Sequence, residues 1–167
     1  TWKSRGLGDV YKRQLLINKN QGSYFFLAEI ICDLDLEYDE PVLNRCGNCT
    51  RCIDACPTDA ITKAQVIDAN KCISYLTIEN KEKIPKELRG SINNSIFGCD
   101  ICQDVCPWNK KSVPHNEKEF IPKKELRDLK KKDWIELTED TFNKIFEGSA
   151  VKRTKFQGLK RNIKAVS

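Results

Sequence analysis

Two cysteine-rich stretches decide the fold: residues 46–57 read CGNCTRCIDACP, and residues 98–107 read GCDICQDVCP. In the first stretch, two residues separate each of the first three cysteines, three residues separate the third from the fourth, and proline follows the fourth. The second stretch repeats the last three of these cysteines with the same spacing. Its own first member is displaced to Cys72, with 26 residues between it and Cys99. Eight of the nine cysteines therefore fall into two related groups.

This spacing is typical of bacterial ferredoxins, in which three close thiolates hold one [4Fe-4S] cluster and the fourth cysteine, before proline, ligates the other cluster. The rule gives each cluster four ligands: Cys46, Cys49, Cys52 and Cys106 for the first, and Cys56, Cys72, Cys99 and Cys102 for the second. Two clusters with interleaved ligands lie close enough to exchange single electrons, so the sequence predicts an electron-transfer module.

Zinc and disulfides are the alternatives for these cysteines. Structural zinc is typically held by two cysteine pairs separated by a loop, and a third cysteine at the next step does not suit one tetrahedral ion. Disulfides need an oxidising compartment, and no secretion signal is visible. Cys32, in an apolar stretch outside both groups, is predicted to be a small buried hydrophobe. His115, in a polar linker, is not expected to be a ligand or a catalytic group.

The composition is that of one soluble, mostly folded domain. The chain has 167 residues, of which 40% are apolar and 32% charged. No apolar run approaches the roughly 18 residues that a membrane helix needs, and the apolar content argues against disorder. Methionine is absent, so we expect the chain to be a fragment or a processed piece, and we expect a cytoplasmic location.

The first fourteen residues are predicted to be an artefact. Residues 4–14 read SRGLGDVYKRQ, show no apolar periodicity and are followed abruptly by an apolar stretch. They resemble the translation of a transposase adapter used in sequencing libraries. We interpret residues 1–14 as adapter-derived, with a genuine basic arm as the alternative, and exclude them from the fold.

From Leu15 onward, the sequence predicts an α+β fold made of three segments. Residues 15–40 hold two predicted strands, at 15–17 and 24–32, and an acidic linker; such strands need a larger sheet. Residues 41–109 form the ferredoxin-type domain. Residues 110–167 lack cysteine and are predicted to be helical. Their helical signals are an N-cap at Thr138, a stop at Gly148, one apolar face of Phe142, Ile145 and Phe146, and a second of Phe156, Leu159 and Ile163.

Charge divides along the same boundary. Residues 15–109 hold nine basic and fourteen acidic side chains, whereas residues 110–167 hold sixteen and nine. Six basic residues crowd around Phe156 between Lys152 and Lys164. This pattern favours a nucleic-acid partner, although a solvated basic surface is the simpler interpretation.

The residues between the cysteines resemble those of the epoxyqueuosine reductases, cobalamin and iron-sulfur enzymes of tRNA queuosine synthesis. The stretches that carry the resemblance are CGNCTRCIDACPTDAI from residue 46, DANKCISYLTIENKEKIPKELRG from 68 and FGCDICQDVCPWN from 97. LLINKNQGSYFFLAEIICDLDLEYDEP from residue 15 and FEGSAVKRTKFQGLKRNI from 146 match the same family in the same order.

The resemblance implies an oxidoreductase that reduces epoxyqueuosine to queuosine in the tRNA anticodon. In that family the clusters pass electrons to a cobalamin whose reduced cobalt removes the epoxide oxygen, and an acidic residue of the N-terminal cobalamin domain donates a proton. Residues 15–32 would be the last strands of that domain, and the helices after residue 110 would begin a helical-repeat region that helps hold tRNA. No catalytic proton donor is expected in this chain, which alone should be inactive. A flavodoxin or ferredoxin would supply the electrons.

The resemblance also suggests further site residues. Ser74 and Asp100 lie where the ferredoxin module should face the cobalamin, with helix capping and local hydrogen bonding as the alternative. Four residues are candidates for tRNA phosphate binding: Lys152, Arg153, Lys155 and Arg161. Lys81 and Lys83 are better explained by an exposed loop.

Two other functions remain open at this stage. One is a two-[4Fe-4S] ferredoxin-type electron carrier with no substrate of its own. The other is a fragment of a corrinoid reductive dehalogenase.

Overall fold

A computed structural model of the chain describes residues 17–18, 20–25 and 28–167. Ten regular elements and four 3-10 helices lie between Arg51 and Val166. The strands are β1 (Ile61–Lys63) and β2 (Val66–Ile67). The first four α-helices are α1 (Arg51–Asp54), α2 (Ile73–Ile78), α3 (Lys86–Arg89) and α4 (Ile101–Asp104). The last four are α5 (Lys124–Asp128), α6 (Lys131–Ile135), α7 (Glu139–Ile145) and α8 (Lys155–Val166). The 3-10 helices are Ala69–Lys71, Pro107–Lys111, Lys118–Phe120 and Ala150–Thr154.

The two cysteine-rich stretches fold in the same way and pack against each other. Each has a four-residue helix, α1 in the first and α4 in the second, and the two helices are in contact. Their N-cap residues, Thr50 and Asp100, have nearly equal backbone angles of −112°/2° and −116°/10°. Helices this short are not stable alone, so their stability depends on this packing and on what the cysteines bind.

A small antiparallel hairpin follows the first stretch. Ile61 pairs with Ile67, and Gln65 in the tight turn adopts a left-handed φ of 65°. Ala60 and Ile61 are buried beside α1. This hairpin, combined with the surrounding helices, confirms the predicted α+β class.

The tail is helical, as the sequence predicts. Thr138 caps α7 by accepting a hydrogen bond from the Thr141 amide, and Phe142 and Phe146 are buried. The helix ends at Ile145, after which Gly148 turns the chain with a φ of 73°. The second predicted helix is α8. The buried core of the tail consists of Leu137, Phe142, Ile145, Phe146, Leu159 and Ile163.

Buried polar contacts join the tail to the cysteine-rich domain. Asn162 on α8 is fully buried, and its side-chain amide donates to the carbonyls of Thr77 (2.7 Å) and Ile96 (2.9 Å). Thr154 also donates to the Thr77 carbonyl, at 3.1 Å. The Thr77 hydroxyl in turn accepts from the Gly98 amide, one residue before Cys99. The helical tail thus supports the backbone that carries the second cysteine group.

The first segment differs from its predicted structure. Leu15 and Leu16 lie outside the described residues, and so do Phe26 and Leu27. Residues 28–44 form no regular element and are exposed, and Cys32 is exposed as well. The predicted strand over residues 24–32 and the predicted burial of Cys32 are therefore wrong for the described part of this segment. The physical reason is that a strand needs a neighbour for its backbone groups, and the described residues offer it none.

None of the helices in the described ranges is long and apolar enough to cross a membrane.

Candidate metal centre

The thiols of the first predicted group surround one pocket. Cys46, Cys49, Cys52 and Cys106 all line it, although Cys106 lies more than fifty residues from the others along the chain. The remaining wall consists of Ile17, Ser23, Arg51, Cys102, Gln103, Pro107 and Trp108. The structure therefore brings together the four thiols that the ferredoxin rule assigns to one cluster.

Three cysteines of the second predicted group lie close enough together to affect one another's pKa values. Burial raises the pKa of Cys72, and the nearby Cys56 thiol raises it further. Burial likewise raises the pKa of Cys99, with added repulsion from Cys72, Asp100 and Cys56. Cys56, Cys72 and Cys99 are therefore neighbours, whereas Cys102 lines the pocket of the first group. The assignment of Cys102 to the second cluster stays a prediction.

Backbone amides face several of these thiols. The Ala60 amide donates to the Cys56 sulfur at 3.3 Å, and the Thr58 hydroxyl lies 3.7 Å from the same sulfur. Burial alone would raise the pKa of Cys56, but the amides of Thr58, Ala60 and Ile61 outweigh it and lower the pKa. Amides aimed at a thiolate stabilise its negative charge, as they do around iron-sulfur clusters. The donor set therefore fits clusters with thiolate ligands.

The same geometry bears on the alternatives of zinc and disulfides. All nine cysteines are free thiols in the structure. Among the described residues, no three His, Cys, Asp or Glu side chains converge closely enough to share a single metal ion. A zinc site requires its thiolates to lie about 2.3 Å from one point, whereas a cubane takes one thiolate at each of four corners.

A buried polar network fixes a short N-terminal turn against the first group. Asn18 and Gly22 close the turn with two reciprocal backbone hydrogen bonds of 2.8 Å. The Ser23 amide donates to Asn109 Oδ1 at 2.6 Å, and Asn109 Nδ2 donates to Ser23 Oγ at 2.9 Å and to the Gln103 carbonyl at 2.7 Å. All three side chains are buried. Sequence reasoning missed this network because its partners lie 86 residues apart.

Tyr24 adds a second anchor for the turn. Its hydroxyl donates to the Asp104 carboxylate. Burial, followed by this hydrogen bond and by the charges of Asp104, Asp100 and Cys102, raises the pKa of Tyr24 well above its ordinary value. The phenol therefore remains a donor throughout the physiological pH range and holds the turn near Cys102.

Ser74 and Asp100 both have local roles. The backbone amides of Ser74 and Tyr75 face the Cys72 thiol and partly offset the effect of burial on its pKa. Asp100 is the exposed N-cap residue of α4, and its carboxylate accepts from Gln103 Nε2 at 3.3 Å. These contacts are local hydrogen bonds, but the Asp100 side chain makes no capping hydrogen bond to the amides of α4. A contact of either residue with cobalamin stays a prediction.

The four basic candidates for tRNA binding differ in how far they are buried and in which groups they contact. The Arg161 guanidinium is half-buried and donates to the carbonyls of Leu76 (3.0 Å) and Glu82 (2.8 Å), and burial lowers its pKa. Arg153 pairs with Glu79. Both arginines thus connect the tail to the C-terminal end of α2 and the residues just after it.

The lysines of the same candidate set are less engaged with the protein. Lys152 donates to Asn143 Oδ1 at 2.6 Å, whereas Lys155 is exposed. Lys81 and Lys83 are exposed in a loop, as predicted. His115 is exposed, and its Nδ1 accepts from the Glu117 amide. A role of Lys152 or Lys155 in phosphate binding stays a prediction.

Two interleaved groups of thiols, with backbone amides directed at them, define a two-cluster iron-sulfur protein of the bacterial ferredoxin type. The family model described as the 4Fe-4S double cluster binding domain matches residues 45–109, the segment that holds all eight thiols. Over 163 residues the chain is 56% identical to an epoxyqueuosine reductase of Cellulophaga algicola, an alignment that covers 97% of this chain and 53% of the relative.

Solved structures agree with this match. The crystal structure of a selenomethionine-labelled epoxyqueuosine reductase is similar with a TM-score of 0.83 and 34% identity, over 92% of this chain and 41% of that one. An epoxyqueuosine reductase with a tRNA-Tyr epoxyqueuosine-modified tRNA stem loop gives a TM-score of 0.76 at 32% identity, over 91% of this chain and 40% of that one. Over nearly its whole length the chain is therefore similar to the epoxyqueuosine reductases.

The chain spans about half the length of the curated relatives that it matches, with 53% of the Cellulophaga algicola protein covered. Because that alignment includes 97% of this chain, it extends into residues 1–14. The adapter origin of those residues stays a prediction.

Proposed function

We propose that this chain is the cluster-bearing part of an epoxyqueuosine reductase. In this proposal it conveys single electrons from an external one-electron donor to a cobalamin, for the reduction of epoxyqueuosine to queuosine in a tRNA anticodon. The observation that supports it most strongly is the alignment at 56% identity over 97% of the chain, combined with eight thiols in two neighbouring groups.

The residues of this chain would hold the clusters, lower the charge cost of the thiolates and exclude water. When bound, each cluster supplies one-electron oxidation and reduction. The amides of Thr58 and Ala60 would stabilise a thiolate at Cys56, and those of Ser74 and Tyr75 a thiolate at Cys72. Hydrogen bonds to ligand sulfurs and local burial are the main means by which a protein sets the potential of such a cluster.

The cobalamin, the tRNA and the location belong to the same proposal. Ser74 and Asp100 are the candidates for contact with the cobalamin, and the exposed Lys155 and half-exposed Lys152 are the better candidates for contact with tRNA phosphates. The related structure with a modified tRNA stem loop supports a tRNA substrate. The donor would be a flavodoxin or ferredoxin in the cytoplasm. None of this requires a catalytic proton donor within the chain.

A chimera tests the proposal directly. Residues 17–167 would replace the matching part of the Cellulophaga algicola relative, and the rest of that relative would be kept. Given cobalamin and a reductant, the chimera should convert epoxyqueuosine to queuosine in a tRNA stem loop, as measured by mass spectrometry of the released nucleosides. The Cys72→Ser chimera should be inactive and the Cys32→Ser chimera active. If the chimera holds both clusters but shows no turnover, the proposal is wrong. The remaining interpretation is then a ferredoxin-type electron carrier, which needs only the two clusters that this chain would hold.

A further inference from the structure

Cys49 is the most accessible of the eight predicted cluster ligands. It is exposed, whereas the other seven are only partly accessible. The loop before it is open: Gly47 has a φ of 53°, and a side-chain carbon built on it would find no atom within 4 Å. Asn48 beside it is also exposed. Because electron tunnelling slows steeply with distance, this loop tip is where a partner protein can approach the first cluster most closely.

Exposed basic side chains lie at the same opening and shortly after it along the chain. Arg51 lines the pocket with Cys49 and Trp108, and the Trp108 indole donates to the Arg45 carbonyl at 3.0 Å. Arg45 and Arg51 are exposed, and neither forms an ion pair with any described residue. Two further exposed cations, Lys110 and Lys111, end the 3-10 helix that begins directly after Cys106.

This basic surface is unusual for its part of the chain. Residues 15–109 have nine basic and fourteen acidic side chains, yet Arg45 and Arg51 lie at the opening of the first cluster pocket. The nearby Asp54 carboxylate accepts a hydrogen bond from the Thr50 hydroxyl at 2.8 Å. An opening bordered by cations at the most exposed ligand would attract an acidic partner and orient it over the cluster.

We propose that the surface formed by Arg45, Gly47, Asn48, Arg51, Lys110 and Lys111 is the docking site of an acidic one-electron donor protein, and that electrons enter through the cluster at Cys49. This inference rests on the proposed function, because it requires that the chain holds both clusters. In the entry step one electron would leave the anionic flavin hydroquinone of the donor, which would become the neutral semiquinone without gaining or losing a proton. That electron would lower the charge of the cluster from 2+ to 1+, and no bond would form or break.

The test measures how fast an acidic flavodoxin hydroquinone reduces the anaerobically reconstituted chain, followed by stopped-flow absorbance. Charge reversal in the Arg45→Glu/Arg51→Glu variant should slow reduction about tenfold or more at low ionic strength, and added salt should slow the unmodified chain. The matched control, Lys81→Glu/Lys83→Glu, makes the same charge change in a separate exposed loop and should react like the unmodified chain. Methyl viologen radical cation, a small positive reductant, should reduce all three at least equally fast.

Two further variants keep the test decisive if charge reversal at Arg51 prevents cluster assembly. Lys110→Glu/Lys111→Glu should also slow the flavodoxin reaction, and Asn48→Trp should slow it by bulk alone, with little change in its salt dependence. Iron and sulfide contents establish that each variant holds its clusters. Equal flavodoxin rates in the charge-reversed and unmodified chains would overturn the proposal. If those rates were equal but binding of a tRNA stem loop were weakened, the surface would instead be a phosphate-binding one. Failure of the chimera to reduce epoxyqueuosine would leave this rate comparison unaffected.

Discussion

Replacement of Gly22 by alanine should release the N-terminal turn from the cluster domain. Gly22 has a φ of 79°, and a side-chain carbon built there would overlap Asn109 Oδ1 and lie 3.0 Å from both Asn109 Cα and Ser112 Oγ. The left-handed conformation costs alanine about 1–2 kcal/mol. Displacement of Asn109 would leave buried groups at Ser23 and Gln103 without partners, at a further cost of about 1–3 kcal/mol. The docked turn should therefore lose about 2–5 kcal/mol.

Hydrogen exchange measures this loss at the Ser23 amide, which is bonded to Asn109. Since 1.4 kcal/mol corresponds to a factor of ten, protection of that amide should fall about thirtyfold or more. The turn also supplies Ile17 and Ser23 to the wall of the first cluster pocket, so the cluster absorbance should decay faster in air. Gly90→Ala is the matched control, because Gly90 has a φ of −65° and open space around it. Unchanged protection at Ser23, or an equal loss in the Gly90→Ala variant, would show that Gly22 does not hold the turn against Asn109.

Three other changes give distinct outcomes. Asn162→Ala removes the side-chain donor of the Ile96 carbonyl and one of the two side-chain donors of the Thr77 carbonyl in a fully buried site. Urea unfolding should show a loss of about 1–3 kcal/mol, against almost none for the exposed Asn116→Ala. Tyr24 holds its proton more tightly in the docked turn than in the free chain. The hydrogen bond of Tyr24 should therefore contribute its full stability below about pH 10, and this contribution should fall as pH rises further. Hydrogen exchange or tyrosine fluorescence would follow the docked turn, and Tyr24→Phe should abolish the pH dependence. Cys106→Ser should alter the electron paramagnetic resonance signal of the cluster held by the first group, whereas Cys32→Ser should leave both signals unchanged; a change in the second cluster alone would contradict the ligand exchange.

The parts of the fold that sequence could predict are those encoded locally. The spacing of Cys46, Cys49 and Cys52 specifies that these three thiols lie together, because the chain between them is too short to place them otherwise. Their grouping with the distant Cys106 came from the ferredoxin pattern and not from local spacing. Thr138 and the apolar residues after it specify α7 because the cap and the buried face lie within two helical turns.

Contacts between distant residues had no such local pattern. The bond between Ser23 and Asn109 joins a turn to a residue 86 positions away. Nothing in a basic stretch indicates that Arg161 points inward to backbone carbonyls while Lys155 points outward. The apolar residues 24–32 have a strand-like composition, but composition cannot supply the neighbouring strand that would complete the hydrogen bonds.

The iron and acid-labile sulfide content after anaerobic reconstitution, with zinc determined in parallel, measures most directly whether this chain holds two [4Fe-4S] clusters. Two clusters correspond to about eight irons and eight sulfides per chain, with no stoichiometric zinc. A content of about four irons or fewer, or zinc in place of iron, would rule out two clusters.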